Sequence, residues 1–171
     1  MDSAQTALLV IDVQQELFEK SNPIYQADSF LANIQLLIDR AHRAKTQVVF
    51  IQHSTDKILI QGTPGWQFHS SLQPAEIDWV VQKHHGNAFE KTTLQSQLEA
   101  RQIRRLVICG LVTHGCVRAT CLGGLKLGYA VTLAQDAHSS FSPDAAERIE
   151  EWNHKLGQAG ASVMSTEEIC F

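Results

Sequence analysis

The sequence contains no Cys-x-x-Cys pair, and its four cysteines (Cys109, Cys116, Cys121 and Cys170) follow the spacing of neither a zinc ribbon nor a disulfide framework. Each thiol therefore needs its own account. No stretch concentrates basic residues: the densest group, Arg101, Arg104 and Arg105, falls at an expected helix-to-strand junction, and the formal charge is −4. A nucleic-acid surface built on a basic stripe is excluded, and a solvated face is the reading for these arginines. No apolar run approaches bilayer length, so no membrane partner is expected. Met1 to Thr6 lacks the charged and apolar regions of a leader peptide, which makes a reducing, cytoplasmic setting the expectation. Gly-x-Gly-x-x-Gly is missing after the first apolar run, and Gly110 to Gly115 is not followed by Lys-Ser or Lys-Thr. A nucleotide-binding module of the common types is therefore disfavoured. The chain has no internal repeat and no low-complexity segment.

What is present is ordinary globular composition, 44% hydrophobic and 19% charged over 171 residues, enough for one domain (residues 1–171) with a full core. Short continuous apolar runs read as strands covered on both faces: Ala7 to Ile11, Val48 to Gln52, Trp79 to Val81, Leu106 to Cys109, Ala130 to Ala134 and Ala161 to Met164. Helical patterns lie between most of them. Phe30, Ile34, Leu37, Ile38 and Ala41 share one helical face, with Asp28 or Ser29 as candidate N-cap. Thr92 or Thr93 precedes a second helix carrying Leu94 and Leu98. Cys116 to Leu127 is a third, closed by Gly128, and Ser142-Pro143-Asp144 opens a fourth with Pro in its first turn. Alternating strands and helices predict an α/β protein: a three-layer α/β/α sandwich with a mostly parallel, roughly six-stranded sheet. Ser54 to Pro74 breaks the rhythm, with Gly62, Pro64, Gly65 and Pro74 flanking Trp66 and Phe68. Such a stretch is either a functional lid or a cover for a sheet edge or subunit interface.

Sites in open α/β sheets form beyond the carboxyl ends of the strands. Asp12 ends the first strand, Lys83 ends the third, and Cys116 follows the fourth across the turn Gly110 to Gly115. Singly, each has an ordinary reading: turn residue, solvated ammonium, packed thiol. Together they answer one chemical need. A thiol attacks as thiolate, a nearby ammonium and a helix N-terminus both favour that anion, and a carboxylate can take the thiol proton and return it to a leaving nitrogen. Backbone N–H groups of Val112 and Cys116 are candidates for holding the oxyanion that develops.

At this point the chain resembles the isochorismatase-like cysteine hydrolases. Asp12-Val13-Gln14 is similar to the family's D-x-Q opening, although Leu17 stands where an aromatic is usual and Phe18 comes one place later. Lys83 with Ala88-Phe89 and Thr92 to Leu94 is similar to its lysine segment. Gly110-Leu111-Val112-Thr113 through Cys116-Val117 to Thr120 is similar to its nucleophile segment, and Asp136-Ala137-His138 to a further stretch placed after the fifth strand. The resemblance implies Asp12 as general base, Lys83 as its partner, Cys116 as nucleophile, a thioester intermediate, and a cis peptide between Leu111 and Val112. Apart from the resemblance, apolar loop residues that a neighbouring copy could cover point to a homo-oligomer, a dimer or tetramer.

Nicotinamidases of that family carry an Asp-x-His metal motif after the second strand. This chain has Gln52-His53-Ser54-Thr55-Asp56 there, and His69, His84 and His85 lack convincing ligand spacing. No metal and no cofactor are expected. The segment resembles instead the metal-free amidohydrolase branch, which implies a small-molecule substrate with an amide, ureido or lactam-like C–N bond, of the streptothricin type among others. Gln14, Gln52 and Trp66 are the candidate substrate-binding residues. The alternatives are an isochorismatase-type vinyl-ether hydrolase, a nicotinamidase, and a scaffold that keeps the fold without activity. His114 reads as an exposed turn residue, and Cys109 and Cys121 as small buried hydrophobes.

Overall fold

A computed structural model of the chain describes residues 5–171. The expectation about the leader region therefore falls largely on residues outside those described. Six strands form one sheet: β1 (Thr6–Ile11), β2 (Gln47–His53), β3 (Trp79–Lys83), β4 (Arg105–Leu111), β5 (Ala130–Ser139) and β6 (Ser162–Met164). Their order is β3-β2-β1-β4-β5-β6 and every pairing is parallel. All carboxyl ends thus share one edge, and the order reverses between β1 and β4. The helices are α1 (Ala27–Arg43), α2 (Leu94–Ala100), α3 (Arg118–Lys126) and α4 (Ala145–Gln158).

Alternate residues of β1 divide between two cores, as the strand period of two requires. Leu8 and Val10 join the α1 face with Phe30, Ile34 and Leu37; Ala7, Leu9 and Ile11 join the opposite face with Leu94 and Leu98 of α2, Cys121 of α3 and Leu156 of α4. Both faces are dry because the strands carry unbroken aliphatic runs. Removing the area of a fully buried leucine from water contributes about 1.5–3 kcal/mol. No helix of the described residues is long and apolar enough to cross a membrane.

The 54–74 segment is neither lid nor edge cover alone. Leu59, Trp66, Phe68 and Leu72 are buried in the α1-side core, so the segment completes that layer where no helix does. A single 3-10 turn, Pro64–Trp66, and an antiparallel bridge from Gln14 to Phe68 give it its shape.

Several boundaries differ from the sequence expectation. Neither Asp28 nor Ser29 caps α1: the N-cap is Gln26 in a left-handed conformation, and Asp28 sits in the first turn beside the dipole's positive end. Pro143 lies before the N-cap Asp144, outside the first turn. Strand β5 runs on through Asp136-Ala137-His138, because its register against β4 shifts between Ile108 and Gly110. The nucleophile segment opens in a wide π-type turn, Thr113–Val117, so Cys116 precedes α3 instead of beginning it.

Candidate active site

Three adjacent strand ends deliver three of the four groups. Asp12 follows β1 with a left-handed backbone (φ 50°), which aspartate tolerates better than most residues, and its N–H donates to the Ile51 carbonyl at 3.0 Å. His53 ends β2 and lies in register with Lys83, which ends β3. The fourth group, Cys116, comes from across the switch point on the turn after β4. Gly110 makes that crossing possible: it has φ +117°, and a Cβ there would lie 2.1 Å from the Ile11 carbonyl oxygen. Gly115, next to the cysteine, faces Val112 so closely that a Cβ would meet its side chain at 2.9 Å. The Leu111–Val112 peptide bond is cis.

The Lys83 Nζ stands 2.7 Å from Asp12 Oδ2 and 3.2 Å from Cys116 Sγ, and it donates to the His85 carbonyl at 3.1 Å. Asp12 and Lys83 are each 1% exposed, so their charges compensate one another away from water. The Asp12–Lys83 contact is an ion pair and not an aligned hydrogen bond. Both carboxylate oxygens are buried, and neither receives a hydrogen bond from the described residues. His53 Nδ1 closes the group, 3.5 Å from Asp12 Oδ2 and 3.6 Å from Cys116 Sγ.

The thiol is not the activated thiolate that the ammonium alone predicts. Burial first, and then the negative charge of Asp12, push Cys116 up to about 12, against the opposing pull of Lys83. Desolvation outweighs one cation here, because the same carboxylate that anchors the ammonium repels the sulfur's charge. Cys116 therefore rests as a thiol beside a ready acceptor for its proton.

The motif threonines hold the segments in place. Thr113 Oγ1 donates to the Ser139 carbonyl at 3.0 Å and lies 2.9 Å from His138 Nδ1, which pins the cysteine turn to β5. Thr120 Oγ1 accepts from the Ala88 N–H at 3.1 Å and ties the lysine segment to α3.

The residues expected to bind substrate are engaged elsewhere. Gln14 is fully buried; its Nε2 donates to the carbonyls of Trp66 (2.8 Å) and His53 (3.0 Å), and its Oε1 accepts the His53 N–H at 2.8 Å. Gln52 Nε2 donates to the same Trp66 carbonyl at 3.1 Å, and the Trp66 indole N–H to Ser54 Oγ at 2.9 Å. These amides satisfy backbone of an irregular loop, which buried polar groups require. Their observed role is to clamp the 54–74 segment and to bracket the His53 backbone. Leu17 is buried core, and Phe18 packs tilted against His69 at 4.4 Å between ring centroids. His114 is not a freely exposed turn residue: its Nδ1 is buried, and burial holds its pKa below the ordinary range.

His53 is the residue that sequence reasoning overlooked. Its segment carries a resemblance and lacks a metal motif, neither of which assigns His53 a role, although its place at a strand's carboxyl end is the same signal that marks Asp12 and Lys83. The donors of a nicotinamidase-type metal centre do not assemble: Asp56 is exposed, His69 Nδ1 bonds Ser71 Oγ at 2.8 Å, and His85 faces Glu90.

An all-parallel sheet whose switch point gathers a buried carboxylate, an ammonium and a sulfur defines an α/β protein built around a cysteine site. The chain belongs to the isochorismatase family: the isochorismatase domain matches residues 6–168. A streptothricin hydrolase of Streptomyces noursei is 33% identical over 147 residues, 85% of this chain. The chain spans only 53% and 58% of the length of the two streptothricin hydrolases it matches. The ureidoacrylate amidohydrolase RutB of Acinetobacter baylyi is 28% identical, with 88% of this chain and 77% of that protein covered. Among solved structures, an isochorismatase from Pseudomonas putida KT2440 superposes with a TM-score of 0.90 at 25% identity, covering 99% of this chain and 92% of that one. A cysteine hydrolase from Pseudomonas syringae pv. phaseolicola 1448A shares the fold, with a TM-score of 0.92, 24% identity, and 98% and 92% of the two chains covered.

Proposed function

We propose that this chain is a cysteine amidohydrolase that opens a C–N bond of a small amide, ureido or lactam-like compound through a thioester. The observation that carries the reading is the Lys83 ammonium set 2.7 Å from the Asp12 carboxylate and 3.2 Å from the Cys116 sulfur, with the ion pair buried and the sulfur partly open to solvent. The names of the relatives, a streptothricin hydrolase and a ureidoacrylate amidohydrolase, support the same bond type.

A thiol pushed up to about 12 makes the order of events specific. Cys116 Sγ attacks the carbonyl carbon as its proton passes to Asp12, so no free thiolate accumulates. The tetrahedral oxyanion is held by the backbone N–H groups of Val112 and Cys116; one such donor is worth about 2.7–4 kcal/mol of barrier. The proton on Asp12 then moves to the leaving nitrogen, the amine departs, and the thioester remains. Water attacks that thioester, Asp12 takes its proton, and as the C–S bond breaks Asp12 passes that proton to the sulfur, which recovers the thiol and the carboxylate. Lys83 stays charged throughout and positions the carboxylate between its two transfers. Asp12 must face sulfur, nitrogen and water in turn, and a carboxylate free of rigid hydrogen bonds is suited to that.

Ammonia or amine release from a panel of amides and ureido compounds, followed by mass spectrometry of the quenched protein, tests the reading. The expected result is turnover of one class together with an acyl adduct on Cys116. Turnover of vinyl ethers alone, undiminished in Cys116→Ser, replaces it with the isochorismatase-type reaction. The homo-oligomer belongs to this proposal as well. Ile58 and Ile60 are 49% and 45% exposed on the loop beside His53, apolar surface that a second copy would cover. Light scattering measures the assembly.

A further inference from the structure

His53 has no part in the acyl-transfer scheme above, yet it is placed as tightly as the groups that do. Its backbone is bracketed on both sides by the Gln14 amide, and its Nδ1 stands 3.5 Å from Asp12 Oδ2 and 3.6 Å from Cys116 Sγ. The three ligand atoms lie within 4.8 Å of one another. A zinc ion bound tetrahedrally at about 2.0–2.1 Å to nitrogen, about 2.0–2.2 Å to oxygen and about 2.3 Å to sulfur sets ligand–ligand edges of roughly 3.4 Å for nitrogen–oxygen and roughly 3.6 Å for nitrogen–sulfur. Two of the three edges here already have those lengths. Both Asp12 oxygens are buried and neither accepts a hydrogen bond from the described residues; Oδ2, the oxygen that faces His53, has the Lys83 ammonium at 2.7 Å as its one charged neighbour, a contact the cation would share. A nitrogen, a carboxylate oxygen and a sulfur form the borderline donor set that selects zinc or cadmium over magnesium or calcium.

We propose that Asp12, His53 and Cys116 form a site for a thiophilic divalent cation, zinc by its geometry, whose binding closes the cysteine reversibly. The fourth coordination position is left for water. On binding, the Cys116 S–H bond breaks, its proton goes to solvent and a metal–sulfur bond forms; no redox change occurs. Lys83 keeps its bond to the His85 carbonyl, and its nitrogen, 3.2 Å from the sulfur and 2.7 Å from Oδ2, opposes a second cation there and so weakens the site, which keeps the closure reversible. The cation is thus an antagonist of the thiol and not a participant in the hydrolysis.

Cadmium titration of the protein carrying Cys170→Ser tests this, since it removes the exposed thiol while Cys109 and Cys121 remain buried. The sulfur-to-cadmium charge-transfer absorption reports binding without any substrate. One equivalent is expected to saturate the band. The band disappears in Cys116→Ser, and His53→Gln weakens binding by at least about tenfold, since losing a ligand costs no less than losing a group that merely orients one. A band that persists in Cys116→Ser, or equal affinity in His53→Gln and the parent, overturns the site. In turnover assays zinc lowers the rate and a chelator restores it; activity that a chelator abolishes and zinc restores overturns the inhibitory role. Because the absorption needs no catalysis, failure of the amidohydrolase reading and failure of the cation site are told apart.

Discussion

Two buried polar clusters lie under the same sheet edge, and they are built on opposite principles. At the ends of β1 to β3, Asp12, His53 and Lys83 meet Cys116 from the turn after β4, with a carboxylate that receives no hydrogen bond from the described residues. At the end of β5, His138 bridges Thr113 Oγ1 at 2.9 Å and Asn153 Oδ1 at 2.8 Å, so both its ring nitrogens are engaged and burial pushes it down to about 4. The second cluster is satisfied and held neutral. The first keeps an ion pair, a thiol and an imidazole in contact, around a carboxylate that accepts no hydrogen bond from the described residues.

The largest expected effect falls on chemistry in the first cluster. Cys116→Ser should lower kcat/KM by on the order of 10³-fold or more while leaving the denaturation midpoint in place. A collapse of stability with little loss of turnover would erase the contrast, because the sulfur would then be core.

Next comes the charge balance. Lys83→Met leaves the Asp12 carboxylate buried without its partner, and unfolding by urea should show a loss of about 3–5 kcal/mol. Adding Asp12→Asn should recover part of it. If the double variant is no more stable than Lys83→Met, the pair is not what the first cluster balances.

The second cluster predicts a pH dependence. His138 titrates near 6.5 when unfolded and at about 4 when folded, so between those values the unfolded chain binds more protons. Stability is full above about pH 6.5 and should fall by up to about 3 kcal/mol as the pH drops towards 4. Denaturant melts from pH 7 to 4 on the parent and on His138→Gln separate this contribution; the variant's slope should be shallower. Parallel slopes would show that the histidine is not held neutral.

The smallest effect concerns thiol reactivity. With Cys116 pushed up to about 12 and Cys170 exposed, iodoacetamide at neutral pH should label Cys170 faster, by about a hundredfold. Peptide mapping across a pH series should show Cys116 labelling still rising beyond the ordinary thiol range. Preferential labelling of Cys116 at neutral pH would mean that Lys83 outweighs burial and Asp12.

Much of this was legible in the amino-acid sequence, and the misreadings have physical causes. Unbroken aliphatic runs announced a sheet covered on both faces, and a polar residue directly after such a run marks the edge where all strands end. Asp12 and Lys83 were found by that rule, and Cys116 by the glycine-bounded turn after β4. Gln14, Gln52 and Trp66 were read as substrate contacts because an amide can hydrogen-bond a small amide and an indole can wall a planar group. Their partners are backbone carbonyls and a hydroxyl supplied by an irregular loop, which no periodicity predicts. The reactivity of Cys116 was read from a helix N-terminus and a charged neighbour, without burial, since depth below the surface is not written in local sequence.

By itself, the sequence determined the layer architecture, the parallel sheet and which residues stand at its carboxyl edge, because hydrophobic period and turn chemistry are local properties. Only the tertiary structure decided that His53 joins Asp12 and Cys116, that the glutamines clamp a loop, and that burial works against the thiolate. Those outcomes depend on distances of a few ångströms between segments far apart in the chain, and on how completely their packing removes water.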